Sequence, residues 1–258
     1  MAGKTIGLVA AMPEEIHPLL RRVGEFRREN VSGFILFRFT IGDRNVSLIE
    51  SGIGAARAAQ ATGILIDTVS PGIILNFGFA GAVLAGPAVG DIVVADRLLF
   101  FNERLFTEQQ GPPPGLSEKL TAMLGKGRTG SDFRIHRGTF INTGEIVAKR
   151  WLAGFLPDGT TNPVLEMETA AVARIAARAK VPLVAVRAIS DAADEELGFS
   201  IGEFTDREMN IRAWKVLRTL AGKPRIIPQL FRLARNSKLA GENLAVAVMA
   251  LLENLPTA

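Results

Sequence analysis

The sequence predicts an α/β fold, a single domain with a central, mostly parallel or mixed twisted sheet flanked by helices and a basic helical stretch at the C-terminal end. Three observations carry this expectation. Short apolar runs that read as buried strands alternate with helix-like stretches, the pattern of a layered α/β chain. The 258 residues show no internal repeat and no interdomain linker, and a length near 250 suits one large α/β domain. Usage is ordinary for a globular chain, 48% hydrophobic and 22% charged, so a packed core is affordable without a metal or a disulfide. The expected organisation is therefore one domain over 1–258, with 222–258 as its helical basic extension.

Taken in order, Thr5–Ala11 is a compact apolar run that reads as the first strand. Pro13 follows where a helix begins, since its fixed φ and missing N–H suit the first helical position. Ile16, Leu19, Leu20 and Val23 then give an apolar face at helical spacing. Phe34–Ile41 and Val46–Glu50 flank Gly42-Asp43-Arg44-Asn45 and read as a β-hairpin. Ala55–Asp67 is an alanine-rich helix, and Ile73–Phe77 and Ile92–Ala95 are buried strands. Phe100–Gly115 ends in Gly111-Pro112-Pro113-Pro114-Gly115 and reads as a long loop. Arg134–Asn142 looks like a strand, Met167–Ala179 like a helix, and Leu183–Ile189 like the last clear strand. Gly202–Leu220 reads as an amphipathic helix, and Ile226–Leu255 as one further long helix with Pro228 near its start.

Composition removes several kinds of chemistry. The chain has no cysteine and two histidines, His17 and His136. Thiol nucleophiles, thiolate zinc sites, iron–sulfur clusters and an all-histidine metal site are thereby set aside, and no cofactor or metal is expected. The uncharged stretch Thr68–Gly90 is punctuated by five glycines, two prolines and Asn76, which suits strands joined by tight turns better than a membrane helix. No export signal is evident, because Pro13, Glu14 and Glu15 follow the first apolar run at once. A cytoplasmic enzyme built on carboxylates, hydroxyls and backbone groups is the expected class.

Charge is unevenly placed. Arg212, Lys215, Arg218, Lys223, Arg225, Arg232, Arg235 and Lys238 fall between Met209 and Gly241 with no acidic residue among them. Such a run reads as a solvated helix face or as a surface that meets anionic lipid or another acidic partner. Nucleic acid is not expected as a partner, since Trp214 and Phe231 are too few to form a stacking platform.

Ligands of α/β sheets bind outside the carboxyl ends of the strands, and four strand endings here carry polar or glycine-rich groups. Ala10-Ala11-Met12-Pro13-Glu14-Glu15 leaves the first strand, although acidic residues in a first turn are equally explained by the helix dipole. Glu50-Ser51-Gly52-Ile53-Gly54 precedes a helix whose free N–H groups could face a ligand, or it is a plain strand–helix turn. The dinucleotide fingerprint is not met, because Arg57 stands at its third glycine position. Asn76-Phe77-Gly78-Phe79-Ala80-Gly81 opens into small residues. The fourth ending pairs Glu166-Met167-Glu168 with Arg187-Ala188-Ile189-Ser190-Asp191. Two positions apart, Glu166 and Glu168 should not serve the same point, and Asp191 reads as a site residue or as a helix cap.

Together these segments resemble the nucleoside phosphorylase/nucleosidase superfamily, most closely its methylthioadenosine/S-adenosylhomocysteine nucleosidase branch. The matching motifs are Ala11-Met12-Pro13-Glu14-Glu15, Ser51-Gly52-Ile53-Gly54, Gly78-Phe79-Ala80-Gly81, Glu166-Met167-Glu168 and Val186–Asp194, in order between Ile6 and about Phe204. A looser resemblance, through the basic C-terminal stretch, is to the hopanoid-associated nucleosidases that act on adenosylhopane. The resemblance implies a nucleoside phosphorylase-like fold and cleavage of the bond between ribose and a purine. It implies Asp191, beside Ser190, as the acid at purine N7, with burial raising its hold on the proton. Glu168 would bind the ribose hydroxyls with Met167 packed on the sugar, and Glu15 would take the proton of the attacking water. Arg187, Ser51, Gly54 and Phe79 would lie near the water or behind the carboxylates. Ile53 and Ile201 would line the 5′ end of the substrate. Purine contacts in the family come partly from the segment here reading Glu145-Ile146-Val147, where the alignment slips by a residue.

Hydrolysis is expected rather than phosphorolysis. A phosphorylase holds its phosphate with arginines in the first and third loops, whereas here the first offers Glu14 and Glu15 and the third Phe79. A carboxylate ~4 Å from a unit of phosphate charge would repel it by about 4 kcal/mol at an effective dielectric of 20. An aspartate at 191 favours adenine over 6-oxopurines. Phe79 replaces a serine common in the branch near the water, so one hydrogen bond to the nucleophile is missing or replaced. Ile201 stands where phenylalanine is usual and the Phe100–Gly115 loop does not resemble the family's, so a bulkier, more apolar 5′ substituent such as that of adenosylhopane is expected. The alternatives are a purine nucleoside phosphorylase and a non-catalytic nucleoside-binding protein on the same fold. The resemblance also implies a homodimer or higher homo-oligomer, and the basic C-terminal stretch a peripheral contact with a membrane.

Overall fold

A computed structural model describes residues 5–126, 133–144, 147–195 and 227–255. Its described strands are β1 (Ile6–Ala10), β2 (Arg27–Val31), β3 (Phe34–Ile41), β4 (Arg44–Glu50), β5 (Ile73–Ala82), β6 (Ile92–Asn102), β7 (Leu105–Gln109), β8 (Ile135–Thr143), β9 (Val164–Glu166) and β10 (Leu183–Asp191). The described helices are α1 (Pro13–Val23), α2 (Ala55–Val69), α3 (Leu116–Lys126), α4 (Lys149–Ala153), α5 (Thr169–Arg178) and α6 (Ile227–Asn254).

The strands form one mixed sheet, a single α/β domain as the sequence predicts. β1 lies between β4 and β5, parallel to both, and β3 and β2 extend the β4 edge as antiparallel strands. On the other side β5 pairs with β10 in parallel and with β9 antiparallel. β10 runs antiparallel to β6, β6 parallel to β8, and β8 parallel to β9, so β5, β10, β6, β8 and β9 close into a ring. Closure removes the open edges on that side and draws the ends of β5, β9 and β10 together.

Two apolar layers cover the sheet. On one face Ile16, Leu19 and Leu20 of α1 pack with Leu244, Val248, Leu251 and Leu252 of α6 over Ile6, Leu8, Val46 and Leu48. On the other, Ala58, Ala61 and Leu65 of α2 and Val172, Ala173 and Ala176 of α5 cover Val9, Ile49, Ile74 and Ala185. Alanine in both helices lets them approach the sheet closely. α6 is far from an appendage: its second half, from Ala240, is part of the core, and Arg44 donates to the Leu252 and Leu255 carbonyls at its C-terminal end. The first half is exposed at Phe231, Arg232, Arg235, Lys238 and Leu239.

Several elements differ from expectation. Residues 100–109 are no loop: β6 runs on to Asn102 and turns through Glu103 and Arg104, both at positive φ, into β7. β5 and β10 also run past their expected ends, to Ala82 and Asp191. Gly202–Leu220 and Ile201 lie outside the described residues. No helix among the described residues is long and apolar enough to cross a membrane.

Candidate active site

The ends of β1, β4, β5, β9 and β10 supply the groups. Pro13 opens α1, and Glu15, in its first turn, folds back so that Oε2 accepts from the N–H groups of Ala11 (2.8 Å) and Met12 (3.0 Å). Its Oε1 accepts from the Phe79 N–H at 2.9 Å, tying α1 to β5. Glycine at 78 makes the approach possible, for a Cβ there would stand 2.7 Å from Glu15 Oε1. Glu15 is 3% exposed, so its position is not that of a dipole-complementing surface acid. Burial pushes its carboxyl up, against the pull of the Phe79 N–H, the Arg187 charge and the Met12 and Ala11 N–H groups.

Glu166 and Glu168 part ways as their spacing predicts. Glu166 ends β9 and points into the protein, where Oε1 accepts from Asn142 (2.7 Å) and Oε2 from the Arg187 guanidinium (2.8 Å) and the Thr169 N–H (2.8 Å). Burial would raise its carboxyl, but Arg187, Asn142 and the Thr169 and Glu168 N–H groups outweigh it and hold it below the ordinary 4.5. Glu168, just before α5, instead reaches across to β4–α2, where Oε1 accepts from the Gly54 N–H at 2.8 Å. Gly54 has φ +98°, a conformation that favours glycine. Burial first, and then the neighbouring Glu166 charge, push Glu168 up to about 7, with a smaller push from Glu15. Glu15 and Glu168 therefore share one electrostatic environment.

Arg187 is 1% exposed and lies behind these groups. Besides Glu166 it donates to Asn76 Oδ1 (2.8 Å) and Thr169 Oγ1 (2.7 Å), and its guanidinium lies over the Phe140 ring. Asn76 in turn donates to the Val9 carbonyl, so one buried network links β1, β5, β9, β10 and α5. Ser51 is buried too: its hydroxyl donates to the Gly52 carbonyl, and its own carbonyl accepts from Arg57 Nε (2.8 Å). The Phe79 ring packs into the α1/α6 layer, and what this residue gives the site is its N–H. Ile53 and Met167 are partly buried beside Gly54 and Glu168.

Asp191 ends β10, and its register partner on β5 is Gly81, three residues past Gly78. At about 3.3 Å per residue that separates it from Glu15 by roughly 10 Å along β5. Ser190 Oγ donates to Oδ1 at 2.7 Å, and Oδ2 is in an ion pair with the Lys149 ammonium. Lys149 also donates to the carbonyls of Asp191 (3.3 Å) and Ala192 (2.7 Å). A cation thus sits against the Asp191 carboxylate at the end of β10. Sequence reasoning missed Lys149, which stands two residues beyond Val147, where the family alignment slips.

A groove of about 480 Å³ between α1 and β2–β4 has Phe26, Phe37 and Glu50 in its walls, but none of the three carboxylates lines it. Among the described residues no group of three or more His, Asp or Glu is placed to hold a metal ion.

Residues 5–221 match the family model described as the phosphorylase superfamily. The chain belongs to that superfamily. Among its curated relatives is the 5′-methylthioadenosine/S-adenosylhomocysteine nucleosidase of Actinobacillus succinogenes, 32% identical over 208 residues that make up 77% of this chain and 90% of the relative. The Listeria welshimeri nucleosidase of the same description is 32% identical over 216 residues, 78% of this chain and 91% of that one. The fold matches that of the Neisseria meningitidis nucleosidase solved in complex with methylthio-immucillin-A, with a TM-score of 0.72, 20% identity and coverage of 98% of this chain and 100% of that one.

Proposed function

We propose that this chain is a purine nucleosidase that hydrolyses the N-ribosidic bond of a 5′-substituted adenosine and releases adenine. The observation that carries the reading is Glu15, a buried carboxyl fixed by three backbone N–H groups whose hold on a proton is raised, as a base working near neutral pH requires. Glu168 accepts from the ribose hydroxyls, and its charge and that of Glu15 favour the cation-like sugar. As the C1′–N9 bond breaks, its electron pair goes to the base, N7 gains a proton from the Asp191 side, water adds to C1′, and Glu15 takes the water's proton. Met167 packs on the sugar and Ile53 at the 5′ end; Ile201, assigned to the same end, lies outside the described residues.

Water is favoured over phosphate by what the arginines are doing. Arg187 is committed to Glu166, and Arg57 to the Ser51 carbonyl and the Phe34 ring, so neither balances a dianion set against Glu15 and Glu168. The identity of the relatives supports the nucleoside substrate, a small molecule. Further parts of the reading are a single domain over 1–258, a cytoplasmic homodimer, and a substrate whose 5′ substituent is bulky and apolar, such as adenosylhopane. The exposed Phe231, Leu239, Arg232, Arg235 and Lys238 on one half of α6 support a peripheral contact with anionic membrane.

The test is release of free adenine from a panel of 5′-substituted adenosines, with and without phosphate. Release without phosphate is expected; dependence on phosphate selects a phosphorylase, and no release under either condition selects a non-catalytic binding protein. D191N should abolish turnover with the fold intact. Co-sedimentation with anionic vesicles should fall when Arg232, Arg235 and Lys238 become glutamate, and unchanged binding would remove the membrane contact.

A further inference from the structure

Lys149 is buried, 4% exposed, and opens the short helix α4. Neither circumstance favours a cation, since burial opposes charge and a helix N-terminus is the positive end of its dipole. Its place is explained by the other end of its side chain, which meets Asp191 Oδ2 and the carbonyls of Asp191 and Ala192. β5 is shaped around the pair: a Cβ at Gly81 would lie against Asp191 Oδ2 and stand 2.7 Å from Lys149 Cε and 2.9 Å from Nζ. Both oxygens of Asp191 therefore already have a donor, Ser190 on Oδ1 and Lys149 on Oδ2. Asp191 accepts at both oxygens, and the Lys149 ammonium on Oδ2 is a proton source within direct reach of it.

We propose that Lys149 is the positioning residue that supplies, through Asp191, the proton delivered to the departing purine. The inference rests on the nucleosidase reading above. The Lys149 Nζ–H bond breaks as an Asp191 Oδ2–H bond forms, and that proton passes to N7 while the C1′–N9 electron pair enters the base. Adenine leaves neutral, Lys149 is left as an amine, and it regains its proton from solvent after Glu15 has taken one from water. Asp191 begins and ends as a carboxylate, free in its ionised form to accept from the exocyclic amine of adenine. Such an arrangement needs an amine at 149 that can both pair and yield, which arginine, always charged, cannot do.

The experiment compares wild type, K149M, K149R and D191N on two substrates, a 5′-substituted adenosine and p-nitrophenyl β-D-riboside, whose leaving group departs as a phenolate without protonation. K149M and K149R should each lose on the order of 100-fold in kcat for adenine release, the range of general acid catalysis, with KM little changed. Both should hydrolyse the nitrophenyl riboside at near the wild-type rate. K149R retains the cation beside Asp191, so it separates proton supply from folding should K149M fail to fold. Equal losses on both substrates, or adenine release by K149R at the wild-type rate, would overturn the proposal. A wild type that releases no adenine overturns the nucleosidase reading and this inference with it, whereas an active wild type with an unimpaired K149R overturns the inference alone.

Discussion

Replacing Glu168 with glutamine should stabilise the protein at alkaline pH while weakening its activity. The carboxyl rises from its ordinary 4.5 to about 7 on folding, chiefly through burial and the Glu166 charge. The folded state thus binds more protons than the unfolded one between these values, and stability falls as pH climbs through that window. At about 1.4 kcal/mol per pH unit the full penalty, felt above pH 7, is about 3 kcal/mol. Glutamine keeps an oxygen for the Gly54 N–H, but a neutral acceptor forfeits about 1 kcal/mol of a charge-assisted bond. The net gain at pH 8 is about 2 kcal/mol, roughly 5 °C in Tm for a chain of this size. At pH 5 the wild-type carboxyl is largely protonated when folded and most of the gain disappears. Glu166, held low, is ionised in both proteins at pH 5 and at pH 8, so its repulsion of Glu168 is already contained in the rise to about 7. Thermal unfolding of both proteins at pH 5 and pH 8 checks this. A Tm difference independent of pH, or larger at pH 5, would show that Glu168 is not the strained carboxyl described.

Two further substitutions probe the frame around the carboxylates. R187M should destabilise by about 3–5 kcal/mol by leaving Glu166 charged and unpaired, measured by denaturant unfolding, and adding E166Q should recover part of the loss. G78A places a methyl 2.7 Å from Glu15 Oε1 and should displace that carboxyl, lowering kcat by at least tenfold in a protein that still folds; full activity would show that Glu15 has room to move without consequence.

The parts of the fold that were legible in the sequence are those where one segment decides its own structure. Ile6–Ala10 is apolar throughout, Pro13 fixes a helix start, and the α6 heptad-like apolar face runs unbroken to Leu255. β2, Arg27–Val31, escaped notice because it is an exposed edge strand whose polar residues carry no alternation, and its pairing with β3 supplies what its sequence does not. The Phe100–Gly115 stretch misled because its proline run dominates, whereas the strand pairing Phe101 with Phe106 is set by a turn with two non-glycine residues at positive φ. At the site, the resemblance to the nucleosidase branch singled out Glu15, Glu168 and Asp191. It could not reveal that Asn76 and Thr169 hold Arg187, or that Lys149 reaches Asp191, since those contacts join positions 18 or more residues apart.

The distribution of cations explains why carboxylates so close together can play different parts. Arg187, the cation sealed into the core, is bonded to Glu166, and the Lys149 ammonium is paired with Asp191. Glu15 and Glu168 are left with backbone N–H groups as their donors, which stabilise a charge less than a full cation would, and both are pushed up by burial. Glu166 is thereby held low and locks the strand ends together, while Asp191 keeps the Lys149 ammonium at the end of β10. Burial raises the hold of Glu15 and Glu168 on a proton, which suits the proposed parts of taking one from water and of meeting the ribose hydroxyls. Exchange of Arg187 for a neutral residue would remove this division at its root, because its charge is what holds Glu166 down and moderates both Glu15 and Glu168.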